Sequence, residues 1–350
     1  RRVKAWFERR WYSDQAAPLG LRPLAALYGC VADRVAAARK AQAVQFPVPV
    51  VVVGNISVGG TGKTPLTLWL IEQAKAVGYK PGVISRGYGG RAEHYPLRVT
   101  AATDPALCGD EPALIARRSG VPLVVAPDRI AAGRLLIEQD GVDLLIADDG
   151  LQHYRLARDL EFCVIDGARG LGNGARLPAG PLREPPSRLA TVDAVIVNGA
   201  LTAALPVHGR PQFAMSLVIE QALPLAGGEA RELSSFRGQR VRAIAGIGHP
   251  QRFFAALEAA GLVIIPQAFA DHHRYVASDL AFDDGGDTHA AADAQGGQGR
   301  LLAAAFKLVE HGAQDHRAGG AQRVAHGDGA AADVDLVVVD IERLHVAQHD

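Results

Sequence analysis

One stretch near the start of the chain decides the fold. It reads Val50-Val51-Val52-Val53-Gly54-Asn55-Ile56-Ser57-Val58-Gly59-Gly60-Thr61-Gly62-Lys63-Thr64. Four consecutive β-branched residues predict a buried strand, and the glycines after them predict a loop that leads into a helix. In a phosphate-binding loop, backbone N–H groups surround the phosphate oxygens, the lysine reaches the β- and γ-phosphates, and the next hydroxyl binds Mg²⁺. The order of these features therefore predicts a site for the phosphates of a nucleotide.

The loop departs from the common pattern G-x-x-x-x-G-K-[ST] at its first position, which is serine. The remaining glycines keep the loop flexible, so we still predict a phosphate-binding loop. Its predicted nucleotide-binding residues are Ser57, Val58, Gly59, Gly60, Thr61, Gly62, Lys63 and Thr64. The alternative is a glycine-rich turn that carries Gly-Lys-Thr by chance.

Short apolar runs alternate with segments of helical periodicity after residue 49. The predicted strands are residues 50–53, 82–85, 123–126, 144–147, 162–165 and 194–197, and the predicted helices are 65–77, 111–118 and 129–139. This alternation predicts an α/β fold of the P-loop NTPase type, with a parallel sheet and helices on both faces. Residues 241–265 predict a second, smaller α/β region. Ligands of parallel sheets bind beyond the carboxyl ends of the strands.

Charge is balanced over the whole chain but not along it. The 350 residues hold 37 Lys and Arg against 37 Asp and Glu, so no nucleic-acid partner is expected. Residues 1–40, however, hold nine basic residues and three acidic ones, together with Trp6, Phe7, Trp11 and Tyr12. Basic residues mixed with aromatic ones favour an amphipathic helix on the surface of an anionic membrane. The alternative is an ordinary amphipathic helix that covers the core.

Three further patterns limit the class of protein. No apolar run reaches 18 residues, so we expect no membrane-spanning helix. We also expect no signal peptide, because a long apolar h-region is missing near the start. The three cysteines are scattered, which argues against a disulfide framework or a zinc site and fits a reducing cytoplasm. No obligate protein partner is inferred.

Pairs of acidic residues occur at the end of one predicted strand and at the start of one predicted helix. Asp148 and Asp149 follow an apolar strand directly, which is the position of the acid that holds Mg²⁺ beside a phosphate loop. Asp110 and Glu111 stand where a helix is predicted to begin. A carboxylate there is either a helix N-cap or a catalytic base or magnesium ligand.

Basic and imidazole side chains lie in other predicted loops. Arg86 lies in a predicted glycine-rich loop, and Arg129 and Arg183 lie in predicted loops that contain proline. Arginine suits bidentate contacts with phosphate. Asp271 and His272 precede His273, and two adjacent histidines cannot face one metal from a regular element. These residues suit proton transfer or are simply exposed on the surface.

Taken together, the motifs of this chain resemble the tetraacyldisaccharide 4′-kinase family, the lipid A 4′-kinases. The resemblance covers about residues 18–282. The matching segments are Val-Gly-Asn-Ile-Ser-Val-Gly-Gly-Thr-Gly-Lys-Thr-Pro (53–65), Ser-Arg-Gly-Tyr-Gly-Gly (85–90), Gly-Asp-Glu-Pro (109–112), Pro-Asp-Arg (127–129), Asp-Asp-Gly-Leu-Gln-His (148–153), Leu-Pro-Ala-Gly-Pro-Leu-Arg-Glu (177–184), Gly-Ile-Gly-His-Pro (246–250) and Asp-His-His (271–273).

The resemblance implies an activity and a place in the cell. The activity is transfer of a phosphoryl group from ATP, with Mg²⁺, to the 4′-hydroxyl of a tetraacylated glucosamine disaccharide 1-phosphate, which gives lipid IVA. The place is the cytoplasmic face of the bacterial inner membrane, reached through the N-terminal segment. A membrane-associated P-loop ATPase with a regulatory or assembly role is the alternative. A GTPase is disfavoured because Asn-Lys-x-Asp does not occur.

The resemblance also implies roles for single residues. Lys63 neutralises charge on the transferred phosphate, and Asp110 with Asp271 and His272 forms the acid–imidazole group that activates the sugar hydroxyl. Thr64 handles Mg²⁺ with Asp148 or Asp149, and Glu111 is a further candidate ligand. Arg86, Arg129 and Arg183 are candidates for the 1-phosphate or the transferred phosphate.

These patterns divide the chain into four predicted parts. Residues 1–46 form a basic amphipathic helical segment, 47–205 a P-loop kinase domain, and 206–282 a second α/β domain. Residues 283–350 hold six of the twelve histidines, with many Ala, Gly and Asp. They also lack the Met-Thr-Glu-Lys-Asp-Ala-type stretch of the family. This change predicts a tail that is read in a shifted frame or is poorly ordered.

Overall fold

The computed structural model describes residues 2–13, 16–219, 221–224, 229–247, 250–270, 273, 279, 300–304, 336–340 and 343–348. The chain falls into two compact units. The first unit comprises residues 1–217 with 344–350, and the second comprises residues 218–343.

The strands and helices predicted for residues 50–197 occur in the predicted order, together with further elements that were not predicted, among them the strands Leu97–Val99 and Gln212–Val218 and the helix Pro105–Cys108. The α-helices are α1 (Arg2–Trp11), α2 (Arg22–Lys40), α3 (Lys63–Ala76), α4 (Pro105–Cys108), α5 (Asp110–Ser119), α6 (Arg129–Leu135) and α7 (Pro250–Ala259). The strands are β1 (Val50–Gly54), β2 (Pro81–Ser85), β3 (Leu97–Val99), β4 (Leu123–Val125), β5 (Leu144–Ala147), β6 (Leu160–Asp166), β7 (Ala194–Asn198), β8 (Gln212–Val218), β9 (Gln221–Pro224), β10 (Arg231–Glu232), β11 (Arg240–Ala245), β12 (Val263–Ala268), β13 (Arg300–Ala304), β14 (Leu336–Asp340) and β15 (Arg343–Gln348).

The first unit is built on one large sheet. Its strand order is β15-β8-β7-β6-β1-β5-β2-β4-β3. The strands from β8 to β4 run parallel to their neighbours, and β3 is antiparallel to β4. Strand β1 pairs with β5 on one side, Val52 opposite Ala147, and with β6 on the other, Gly54 opposite Cys163. The glycine loop after β1 and the acid pair after β5 therefore leave the sheet side by side.

Alternate side chains of β1 enter two different cores, because successive residues of a strand point to opposite faces. Val50 and Val52 pack on the face that α6 covers, and Val51 and Val53 pack on the face of α3 and α5. All four are buried. A strand that is apolar on both faces requires helices on both sides of the sheet. The predicted parallel sheet with helices on both faces is confirmed.

The second unit has its own smaller sheet, in the order β10-β9-β14-β13-β11-β12. Strand β11 is parallel to both β12 and β13, whereas β9 is antiparallel to β14 and β10. Helix α7 contributes Phe253, Phe254 and Leu257 to the core of this unit. The predicted second α/β region is therefore present.

Two helices occupy the predicted N-terminal segment, and they are attached to the first unit. The indole N–H of Trp11 donates to the carbonyl of Pro178 at 3.0 Å, and the hydroxyl of Tyr12 donates to the carbonyl of Val58 at 3.2 Å. Arg176 donates to the carboxylate of Asp33 on α2 at 2.9 Å. Within the described residues, no helix combines the length and the apolar character needed to cross a membrane.

The predicted atypical tail, residues 283–350, falls largely outside the described residues. The described parts are strands β13, β14 and β15. The prediction of a shifted frame or of poor order therefore remains a prediction.

The close approach of Gly54 to Leu151 generates a stability prediction. A methyl group at Gly54 would lie 2.8 Å from Cγ of Leu151 and 2.9 Å from its backbone nitrogen. Because backbone atoms cannot move aside cheaply, Gly54→Ala is expected to lower the free energy of unfolding by about 1–3 kcal/mol. Urea denaturation measures this change. Gly20→Ala is the control, since a methyl group there meets nothing within 4 Å, and equal losses in the two variants would contradict the argument.

Candidate active site

The loop between β1 and α3 is shaped by its glycines and by the end of β7. Gly59 and Gly62 have φ angles of 104° and 96°, a region that only glycine adopts readily. Gly62 occupies the N-cap position of α3, and a methyl group there would collide with the side-chain amide of Asn198. That amide donates to the carbonyl of Thr61 at 3.0 Å. The loop is thus held from the side of β7, and neither Gly59 nor Gly62 can be replaced without distortion.

Lys63 is the first residue of α3, and its side chain is buried. It is 9% exposed, and its Nζ lies 3.6 Å from Oδ1 of Asp149. Thr64, the next residue, is also buried. The helix begins here, so its unpaired N–H groups and the lysine charge face the same space and favour an anion.

The acid pair after β5 consists of two carboxylates in different environments. Asp148 is fully buried, and its Oδ1 accepts a hydrogen bond from the hydroxyl of Thr67 at 2.9 Å. Its Oδ2 has no hydrogen-bond partner among the described residues. Asp149 has a φ angle of 48°, which turns its carboxylate toward Lys63 and Arg183 at 3.6 and 3.7 Å.

These surroundings move the two pKa values apart. Burial raises the pKa of Asp148 to about 7, and the negative charges of Glu111 and Asp149 add to the effect. Burial also disfavours the charge of Asp149, but the cations Lys63, Arg183 and Arg129 outweigh it and lower its pKa. Asp148 is therefore a desolvated carboxylate with an unpaired oxygen among like charges, which is a favourable environment for a divalent cation.

The turn that carries the acid pair is held by Arg129 at the start of α6. The Nη2 of Arg129 donates to the carbonyl of Asp149 at 2.8 Å and to that of Asp148 at 3.4 Å. The side chain is 5% exposed. Arg129 therefore supports the backbone of the acid pair, in addition to lining the neighbouring cavity.

A cavity of about 360 Å³ opens beside the acid pair, within the first unit. Its lining is rich in arginine. The residues are Arg39, Arg86, Pro127, Asp128, Arg129, Asp149, Gln152, His153, Arg155 and Arg183. Five arginines against two aspartates make the cavity electropositive, which suits a phosphate group. The structure therefore brings the three predicted arginines together with one of the predicted acids.

Six lining residues were not selected as site residues from the sequence: Arg39, Pro127, Asp128, Gln152, His153 and Arg155. His153 is mostly enclosed, and burial together with the charge of Arg129 lowers its pKa to about 4, so the imidazole is neutral at pH 7. The sequence could have indicated Gln152 and His153 as site residues, because they lie three and four residues after Asp149. Nothing local points to Arg39, which comes from the end of α2.

Helix α5 places the other predicted acids. Gly109, with a φ angle of 90°, occupies the N-cap position, and Asp110 is the first helical residue. The structure therefore does not support the reading of Asp110 as the N-cap. Glu111 is exposed, yet its charge contributes to the raised pKa of Asp148, so it lies close to the acid pair.

The predicted proton-transfer residues Asp271 and His272 lie outside the described residues. The next residue, His273, is described in the second unit. Its Nε2 lies 2.9 Å from Oδ2 of Asp279, and its ring stacks on Phe269 with centroids 4.5 Å apart.

No cluster of three or more His, Cys, Asp or Glu side chains that could hold a metal ion occurs in the described part of the chain. Magnesium rarely needs such a cluster, since one or two carboxylates, waters and substrate phosphates complete its shell. The buried, unpaired oxygen of Asp148 and the hydroxyl of Thr64 fit that requirement.

Comparison with known proteins decides the family. The profile of the tetraacyldisaccharide-1-P 4′-kinase family, LpxK, matches residues 17–295. The chain belongs to this family.

Relatives named tetraacyldisaccharide 4′-kinase support the assignment. The protein of Stenotrophomonas maltophilia is 52% identical over 278 residues, 78% of this chain and 82% of the relative. That of Pseudomonas paraeruginosa is 54% identical over 281 residues, with the same coverage of 78% and 82%. The crystal structure of LpxK from Aquifex aeolicus in complex with ATP matches with a TM-score of 0.69 and 24% identity, over 93% of this chain and 94% of that one. This last likeness confirms the fold.

The opposite pKa shifts of the acid pair predict opposite effects on stability in this 4′-kinase family member. The folded pKa of Asp148, about 7, lies above its ordinary value, so its charge destabilises the metal-free fold increasingly between about pH 4 and pH 7. Asp148→Asn is therefore expected to stabilise the metal-free protein at pH 8, by at most about 4 kcal/mol, with no gain below about pH 4.

Asp149→Asn is the matched variant. The pKa of Asp149 is lowered, so its charge stabilises the fold above the ordinary pKa, and this stability is lost as the pH falls through the folded pKa. We expect this variant to lose stability at pH 8. Thermal unfolding in EDTA across this pH range measures both variants. Shifts of the same sign in the two variants at pH 8 would contradict the electrostatic account.

Proposed function

We propose that this chain transfers the γ-phosphoryl group of ATP to the 4′-hydroxyl of a tetraacylated glucosamine disaccharide 1-phosphate, giving lipid IVA. The observation that carries the proposal is the position of an arginine-lined cavity directly beside Lys63 and the acid pair, in a member of the 4′-kinase family. Such a site offers one place for a nucleotide's phosphates and an adjacent one for a second phosphate-bearing molecule.

The roles within the site follow from charge and geometry. Phosphoryl transfer depends mainly on positioning and on neutralising charge. Lys63 and the loop amides hold the β- and γ-phosphates, and Thr64 with Asp148 holds Mg²⁺, for which Asp149 and Glu111 are the further candidates. The ion, when bound, neutralises negative charge on the phosphates. Arg86 and Arg183 bind a substrate phosphate from the cavity wall, while Arg129 keeps the acid-pair turn in place.

The acceptor hydroxyl needs a base, because a sugar hydroxyl is a poor nucleophile. Asp110 is the proposed base of the first unit, standing one residue before Glu111 at the start of α5. Asp271 and His272 are the proposed acid and imidazole of the second unit. Their assignment rests on the family resemblance of the Asp-His-His segment.

Membrane docking is proposed from α2. Its apolar residues Leu24, Leu27, Val31 and Val35 recur at helical spacing, are 53%, 62%, 51% and 41% exposed, and belong to none of the hydrophobic cores. The opposite side of the helix is fixed to the first unit through buried Gly29 and the Asp33–Arg176 ion pair. The apolar face of α2 is therefore exposed, which supports the membrane-surface interpretation of this helix over the one in which it covers the core.

With the basic residues of the segment, this exposed stripe suits the anionic inner membrane. We propose that the chain acts there on the cytoplasmic face, where ATP is present.

Lys63→Ala and Asp110→Ala are each expected to lower phosphoryl transfer at least about 100-fold, because each removes a group that acts on the reacting atoms. The measurement is ³²P transfer from ATP to the lipid disaccharide, alongside ATP hydrolysis without lipid. Lys80→Ala, an exposed lysine in the turn after α3, is the control. Hydrolysis without transfer in the wild-type protein would favour the regulatory ATPase instead, and near-wild-type turnover in either variant would remove its assigned role.

Leu27→Glu is expected to weaken binding to vesicles that contain phosphatidylglycerol about tenfold, since it places a charge within the apolar stripe. Flotation of the protein with vesicles measures this. Ala37→Glu makes the same charge change at an exposed position on another face of α2 and should bind almost normally. Equal weakening in both variants would mean that net charge, and not the stripe, governs binding.

A further inference from the structure

We propose that Arg188 is a positioning residue for the anion cavity: acting through Glu184, it orients the side-chain amide of Gln152 and so sets the direction of Arg183. The proposal rests on the proposed function insofar as the cavity binds a substrate phosphate. Arg188 itself is not among the residues that line the cavity.

Arg188 is held by two hydrogen bonds and one ion pair. Its Nη2 donates to Oε1 of Glu161 at 2.6 Å, and its Nη1 donates to the hydroxyl of Thr191 at 2.6 Å. Its Nε lies 3.3 Å from Oε2 of Glu184, which is an ion-pair distance without hydrogen-bond geometry. The side chain is 11% exposed, and Glu161 is likewise 11% exposed and paired with Arg158. The guanidinium therefore bridges two enclosed carboxylates, which the compact ammonium group of a lysine could not do in the same geometry.

Glu184 in turn orients the side-chain amide of Gln152. Oε1 of Glu184 accepts from Nε2 of Gln152 at 2.6 Å, and the same amide nitrogen donates to the carbonyl of Asn55 at 2.9 Å. Both partners are pure acceptors, so the NH₂ of the amide must face them. The amide oxygen is thereby directed to the other side, where it accepts from Nη1 of Arg183 at 3.2 Å.

Arg183 then reaches the reacting part of the site. Its Nη1 lies 3.7 Å from Oδ1 of Asp149, and its backbone N–H donates to the carbonyl of Ile56 at 2.7 Å, just before the phosphate loop. The contacts form an alternating series, Glu161–Arg188–Glu184–Gln152–Arg183–Asp149, in which each charge faces an opposite charge or the matching end of a dipole.

Loss of the Arg188 charge would disturb this series at Glu184. The carboxylate is 12% exposed and, among the residues that the structure describes, would keep as hydrogen-bond partners only neutral groups, the amide of Gln152 and the hydroxyl of Tyr154. An enclosed carboxylate without a cation turns toward another cation. Glu184 would then draw Arg183 away from the cavity.

The test is a double-mutant cycle between Arg188→Gln and Arg183→Gln, with KM for the lipid acceptor and Kd for ATP as readouts. Arg188→Gln is expected to raise the acceptor KM about 10-fold to 100-fold and to change the Kd for ATP less than about threefold. In the Arg183→Gln background it should have little further effect on KM, because its influence passes through Arg183. Arg134→Gln, an exposed arginine on α6, is the control.

Arg188→Lys covers the case in which Arg188→Gln does not fold. Lysine keeps the positive charge but lacks the planar fork that bridges Glu161 and Glu184. We therefore expect Arg188→Lys to raise the acceptor KM less than Arg188→Gln does. This rise should also disappear in the Arg183→Gln background. Additive effects in the cycle, or an equal loss of ATP affinity, would overturn the proposal, since a general loss of structure gives both.

A second measurement separates this proposal from the proposed function. With the phosphate loop saturated by ADP, inorganic phosphate should raise the melting temperature of the wild-type protein and of Arg134→Gln, but much less that of Arg188→Gln or Arg183→Gln. This result supports the positioning role even if no lipid phosphorylation is found. Equal phosphate stabilisation of all four proteins would refute the positioning role.

Discussion

Asp149 is the residue on which the site depends, because side chains from three separate parts of the first unit contact it. Lys63 from the phosphate loop and Arg183 from the loop before residue 186 approach its Oδ1 at 3.6 and 3.7 Å. Arg129 from α6 binds its carbonyl. These distances are those of ion pairs without tight hydrogen bonds, so the two cations remain available to a phosphate while the acid keeps them in place. The left-handed φ angle of Asp149, 48°, is what turns it toward them.

The neighbouring Asp148 shows the cost of this arrangement. It is buried next to two like charges, with one oxygen unpaired within the described part of the structure. A site built only for stability would avoid such a carboxylate. Its retention is understandable if a cation joins the site together with the nucleotide, so that the unfavourable electrostatics of the free protein become binding energy.

The sequence predicted those features that depend on short segments. The strand, loop and helix from Val50 to Ala76 could be predicted because the β-branched run, the glycines and Gly-Lys-Thr each restrict the local backbone. The helical spacing of the apolar residues in α2 could also be seen in the sequence. Which face of this helix is exposed to solvent could not be predicted. Strand β8 was missed because it directly follows a connection rich in alanine and proline, although Phe213, Met215 and Leu217 do recur at every second residue.

The parts that could not be predicted are contacts between residues far apart in the chain. Gln152 meets Glu184 across 32 residues, and Arg39 reaches the cavity from α2. Their positions follow from strand order and register, which the sequence pattern alone does not determine. The acid pair and the three arginines could be found individually, but only the sheet order placed them together.

Arg39 and the exposed stripe of α2 belong to one rigid element, and this has a geometric consequence. Val35 is the last residue of the stripe, and Arg39 lines the cavity one turn later, about 6 Å farther along the helix axis. If the stripe rests on lipid as proposed, α2 lies along the membrane surface, and the cavity opens about one helical turn beyond the end of the stripe. An amphiphile can then bring its headgroup to the cavity by moving along the surface, with its tails still anchored in the lipid.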